Sequence, residues 1–118
     1  MGDYSPLFLP GKAITMTASA AVTGGQAVEV TGNMQVGPGA AASAKIIGHA
    51  GYDAPSGGEV TVYGRGTVHE APASGTITAG ASVVAAATGK VAAAAGSEPV
   101  LGVALTAAAS GRVLYMEF

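Results

Sequence analysis

The sequence predicts a small all-β fold: a barrel of short strands with an extended N-terminal arm, an internal pseudo-repeat and at most one short helix. Three observations carry that expectation. Apolar and polar residues alternate in many short runs; turns rich in Gly, Ser and Asn separate the runs; and two stretches of the chain match each other in order. Alternation with a period of two marks a strand with one buried face, and repeated interruption by turn residues marks an antiparallel sandwich or barrel.

Taken from the N-terminus, residues 1–12 stand apart as an arm. Pro6 and Pro10 bias the residues before them away from helix, and Tyr4, Leu7, Phe8 and Leu9 make the segment sticky. Such an arm either folds back over its own core or docks on a partner, as extended segments do in strand addition. Ile14 and Met16 then alternate with Thr15 and Thr17. Val28 and Val30 flank Glu29 and run into the turn Thr31-Gly32-Asn33. Glu59 to Tyr63 alternates again, Gly64-Arg65-Gly66 breaks the run, and Thr67-Val68-His69 resumes it. Arg112 to Phe118 closes the chain as a strong strand. The alanine runs Ala40–Ala42, Ala92–Ala95 and Ala107–Ala109 favour helix but are too short to hold one alone.

The repeat is the most informative feature. Gly25-Gln26-Ala27-Val28 matches Gly80-Ala81-Ser82-Val83, and Thr31-Gly32-Asn33-Met34 matches Thr88-Gly89-Lys90-Val91. Ile47-Gly48-His49-Ala50 matches Leu101-Gly102-Val103-Ala104, and Ala54-Pro55-Ser56-Gly57 matches Ala108-Ala109-Ser110-Gly111. Val60-Thr61-Val62 matches Leu114-Tyr115-Met116. The expected organisation is an arm over 1–12 and one β-barrel domain over 13–118, with pseudo-repeats at approximately 25–62 and 80–116 closing a single barrel-like core.

Composition bounds what such a domain can be. The 118 residues include 24 of Leu, Ile, Val and Phe against 45 of Ala and Gly, so the core is thin. A net charge of −2 with 10% charged residues removes the high-charge half of the disorder signature. A thin core gains from oligomerisation or from docking on a larger surface. The absence of Cys excludes disulfides and thiolate chemistry and fits a reducing compartment. Five scattered cations and a weakly acidic balance give no nucleic-acid footprint. No apolar stretch reaches the roughly 18 residues of a membrane helix, and the N-terminus lacks a signal-peptide pattern. The expectation is a soluble protein made without export.

Chemistry-bearing residues are few. His49 and His69 are the only histidines, and both read as surface or partly satisfied side chains rather than metal or catalytic groups. His69 adjoins Glu70, but strand neighbours point to opposite faces. The carboxylates Asp3, Glu29, Asp53, Glu59, Glu70, Glu98 and Glu117 are dispersed. Gly64-Arg65-Gly66 resembles part of a phosphate loop but precedes a strand rather than a helix N-terminus. No serine sits in a nucleophile-elbow context. With no poised base, the reading is a non-enzyme without cofactor or metal.

Several ordered motifs carry a family resemblance. They are Leu7-Phe8-Leu9-Pro10-Gly11 leading into Ile14-Thr15, Ala18 through Gln26 before Val28, and Ala54-Pro55-Ser56-Gly57 before Val60-Thr61-Val62. Ala73-Ser74-Gly75 with Ile77 and Ala79-Gly80, and Leu101-Gly102-Val103-Ala104-Leu105 before the last strand, complete the series. On these the chain resembles bacteriophage capsid decoration (head cement) proteins, in particular those of tailed phages of actinobacteria. His49 and Gly51 depart from the pattern, where apolar or acidic residues are expected.

The resemblance implies a β-barrel or β-tulip fold and a homotrimer on the outer surface of the mature capsid. The trimer would clamp neighbouring major capsid subunits, with no nucleic-acid or membrane partner. Tyr4, Pro6, Leu7, Phe8, Leu9 and Pro10 of the arm are then the expected capsid contacts. The competing reading is a carbohydrate- or cell-surface-binding β-module displayed on a virion. Such a module usually presents aromatics for sugar stacking, and this chain has four Tyr, two Phe and no Trp.

Overall fold

The computed structural model describes residues 13–118; the arm expected over residues 1–12, and the contact residues assigned to it, lie outside them. Five strands make the first half: β1 (Ala13–Ala18), β2 (Ala27–Gly32), β3 (Gln35–Pro38), β4 (Ile46–Ala50) and β5 (Glu59–Gly64). They close into a barrel in the order β1-β5-β4-β2-β3, with β3 returning to β1 as a parallel pair. The second half is β6 (Val68–Pro72), β7 (Ser82–Ala85), β8 (Val91–Ala93), β9 (Val100–Ala104) and β10 (Arg112–Glu117). Its sheet runs β6-β10-β9-β7-β8, the barrel order with five added to each label. Where the barrel closes, the second sheet has only a single parallel bridge between Ala73 and Val91. The all-β class, the barrel and the internal repeat are therefore present.

The backbone of the two halves corresponds bond by bond. Gly25 N–H donates to Ala50 O and Gly80 N–H to Ala104 O, both at 2.8 Å. Ser19 N–H donates to Val36 O and Ser74 N–H to Val91 O, again both at 2.8 Å. Each half carries a register shift on its second strand, between Val28 and Glu29 in one and between Val83 and Val84 in the other. Opposite the shift lies Gly48 or Gly102. A Cβ on Gly48 would stand 2.1 Å from Tyr63 O, and one on Gly102 would stand 1.9 Å from Met116 O. Backbone packs on backbone at both places, and only glycine fits.

Two of the sequence matches fall in a different register. Val91 corresponds to the buried Val36, not to Met34, which is 56% exposed in its turn. On the last strand, Val68 pairs with Met116 as Ala13 pairs with Tyr63, so Val60 and Val62 correspond to Val113 and Tyr115. The sequence match is one residue out. In a strand that slip exchanges the buried and exposed faces, and the fully buried Val113 and Tyr115 contrast with the exposed Leu114 and Met116.

The expectation of one shared core is also corrected. Met16, Val28, Val36, Val60 and Val62 pack inside the barrel. A separate cluster of Ile77, Val83, Val91, Leu101, Val113 and Tyr115 lines the second sheet, and it takes in Ala27 and Ile46 from the barrel. The outer face of the barrel thus packs, through Ala27 and Ile46, against the inner face of the second sheet. Barrel width falls with strand number, so five strands leave an interior that Val and Ala can fill, each buried Val contributing about 1.5 kcal/mol or more. The alanine runs make no α-helix. Ala92 and Ala93 lie in β8, and a single 3-10 turn spans Ala87–Gly89, because cross-strand pairing outweighs propensity in so short a run. Among the described residues, no helix is long and apolar enough to cross a membrane.

Candidate functional site

The seam between barrel and sheet holds a buried polar cluster. Strand β4 brings His49 to the outer face of the barrel, where it is 2% exposed. Its Nδ1–H donates to Gly25 O at 2.8 Å, which leaves Nε2 to accept from the Tyr115 hydroxyl. Strand β10 alternates Val113, Tyr115 and Glu117 inward, and strand β6 turns His69 toward them. The His49 and His69 rings lie with centroids 4.2 Å apart. His69 Nε2–H donates to Thr67 Oγ1 at 2.8 Å, and the Thr67 hydroxyl donates to Gly64 O at 3.1 Å.

Glu117 lies at the centre with its side chain fully buried. His69 Nε2 stands 3.1 Å from Oε1 and Arg65 Nε 3.7 Å from Oε2. Neither contact is well directed, and among the described residues both carboxylate oxygens lack a hydrogen-bond donor. Arg65 is anchored instead by its Nε–H to Phe118 O at 2.8 Å.

Burial sets the protonation of this cluster. Desolvation chiefly, and then the like charge of His69, pushes His49 down to about 4, against the opposing effects of the Gly25 bond and of Glu117. Tyr115 is pushed well above the usual phenol range, mainly by burial and then by the Glu117 charge, with Arg65 opposing. At neutral pH, then, His49 is a neutral imidazole bonded to a neutral phenol. These groups are sealed from solvent, so the arrangement ties barrel to sheet.

The sequence reads both histidines as surface or partly satisfied side chains; the structure corrects this for His49, which is buried with both ring nitrogens bonded, while the half-buried His69 faces it across the seam. The expected separation of His69 from Glu70 stands, since Glu70 points outward. Arg65, read as part of a weak phosphate-loop fragment, caps the end of β10 instead. Tyr115 and Glu117 were not singled out. The signal that could have found them is alternation on β10 phased from Val113 rather than from Leu114.

The other candidate surface is the outer face of the second sheet. Val68, Met116 and Val103 form one cross-strand row. Leu114, beside Glu70, bonds through its carbonyl to the Leu105 N–H and starts the next. Val68, Val100, Leu105, Leu114 and Met116 are each 37–46% exposed, so this is an apolar face without a cover among the described residues. Two of the corresponding positions on the barrel are treated differently, although Tyr63, the counterpart of Met116, is itself 48% exposed. Ile46 corresponds to Val100 and His49 to Val103, and both are buried under the second sheet.

Comparison with known proteins follows from this architecture. A family model described as phage cement protein matches residues 8–116. A search of curated proteins returns no match. Among solved structures, the N base of the head fiber gp8.5 in bacteriophage phi29 superposes with a TM-score of 0.71, covering 91% of this chain and 93% of that chain at 17% identity. At that identity the likeness establishes the shared fold. With 8–116 of its residues matched, this chain belongs to the phage cement protein family.

Proposed function

We propose that this chain decorates the outer surface of the mature phage head, binding major capsid subunits as a homotrimer and stabilising the contacts between them. Membership of the cement family supports a structural role in the capsid. The observation that carries the finer reading is the apolar outer face of the second sheet. The barrel buries two positions of its equivalent face, Ile46 and His49, within the chain, and the copy left exposed among the described residues has the composition of a surface made to be buried in an assembly. In this reading Val68, Leu114 and Met116 meet the neighbouring copy, while Tyr4, Pro6, Leu7, Phe8, Leu9 and Pro10 of the arm reach the capsid. A module that binds only the assembled shell stabilises that shell by its docking free energy, repeated at every site.

Light scattering on the purified protein tests the first part. A trimer that dissociates in Leu114→Asp/Met116→Asp supports the assignment, and a wild-type monomer at high concentration refutes it. Co-sedimentation with expanded heads tests the second part. Removal of residues 1–12 is expected to abolish binding while leaving the circular dichroism spectrum unchanged. Full binding by the truncated chain rejects the role of the arm.

A further inference from the structure

Glu117 is the group at the seam that the fold leaves unprovided for. Its side chain is 0% exposed and neither carboxylate oxygen receives a hydrogen bond from the described residues, a combination that native proteins avoid. His49, His69 and Glu117 each place a ligating atom within 4.8 Å of the others. We propose that these three residues bind one divalent transition-metal ion, zinc by the character of the donors, between the barrel and the second sheet. Two imidazoles and a carboxylate form a recurrent three-ligand zinc set that leaves one position open.

The supporting contacts are already built. A ligating histidine usually donates its other ring N–H to a carbonyl or carboxylate, which fixes the ring and aims the remaining lone pair. His49 does so, with Nδ1–H on Gly25 O at 2.8 Å. Donors around a tetrahedral zinc stand about 3.3 Å apart for bonds near 2.0 Å, and His69 Nε2 and Glu117 Oε1 are already 3.1 Å apart. His49 closes the remaining gap. Its Nε2 lone pair passes from the Tyr115 hydroxyl to the ion, and that hydroxyl holds the water in the fourth position. His69 then carries its proton on Nδ1. Arg65, 39% exposed, swings its guanidinium to solvent when the ion takes over the charge of Glu117. One ligand comes from the barrel and two from the sheet, so the ion acts as a clamp between the two halves of the chain.

The test uses the full chain, stripped with a chelator and then dialysed against zinc, with bound metal measured by mass spectrometry. About one zinc per chain and a melting temperature that rises with zinc are expected, and Glu117→Gln should weaken binding by about tenfold or more. Uptake equal in wild type and Glu117→Gln, or a melting temperature indifferent to zinc, overturns the proposal. Should the variant fail to fold, cobalt(II) bound to the wild type decides. The intense visible bands of four-coordinate cobalt support the site, and the weak spectrum of the hydrated ion overturns it. The result is independent of capsid binding, which these measurements do not involve.

Discussion

Lowering the pH from 7 to 5 should weaken the fold through His49. In the unfolded chain this imidazole titrates at its ordinary value of 6.5, and in the folded chain at about 4, because burial disfavours the cation. Between those values the unfolded state binds more protons, so stability rises with pH there. The contribution is complete above pH 6.5 and is lost as the pH falls toward 4. At about 1.4 kcal/mol per pH unit, the whole effect is about 3 kcal/mol, of which about 2 kcal/mol has gone by pH 5. Urea unfolding followed by circular dichroism at pH 7, 6 and 5, with a chelator present, measures this directly. His49→Gln is the control, since it keeps a buried polar side chain that cannot titrate. Carboxylates with lowered values, such as Glu29 held by the Ala40 N–H, lose their contribution at more acidic pH than this window. If wild type and His49→Gln lose the same stability between pH 7 and 5, the reasoning about a neutral buried imidazole is wrong.

Other changes separate backbone packing from hydrogen bonding. Gly48→Ala drives a Cβ into the Tyr63 carbonyl and should cost about 3 kcal/mol or more in urea unfolding. Gly57→Ala, at φ +84° with nothing within 4 Å, should cost only about 1–2 kcal/mol, from its left-handed backbone. Equal costs at the two positions would contradict the close approach of β4 to β5. Tyr115→Phe leaves the buried His49 Nε2 without a donor and should destabilise by about 1–3 kcal/mol. Unchanged stability in that variant would mean that the His49–Tyr115 bond carries no net energy.

The sequence was most legible where chemistry is local. Alternation placed residues of β1, β2, β5, β6 and β10 in strands, and the glycine turns separated them, because both signals lie within a few neighbouring residues. The duplication was visible through Gly48 and Gly102, the paired positions that no other residue can occupy. Its phase on the last strand was not. Leu114 and Met116 are more apolar than Glu117 and look like the inner face, yet they point outward while Glu117 goes in. Hydrophobicity misleads there because the buried face meets another polar surface, and that meeting depends on how the barrel seats in the second sheet. His49 was obscured for the same reason: its partners Tyr115 and His69 are distant in sequence and belong to the other half of the repeat.

The gap in the second sheet bears on how copies of such a protein meet when crowded. A closed ring exposes no unpaired strand, whereas an open one invites its neighbours to add on without limit. Here the open side is blunted: β8 is only three residues long, β6 ends at Pro72, which has no N–H to offer, and the Ala73–Val91 bridge ties the two margins together. Runaway stacking along that margin is thereby discouraged, and copies held close together are left to meet through side chains instead of through shared sheets.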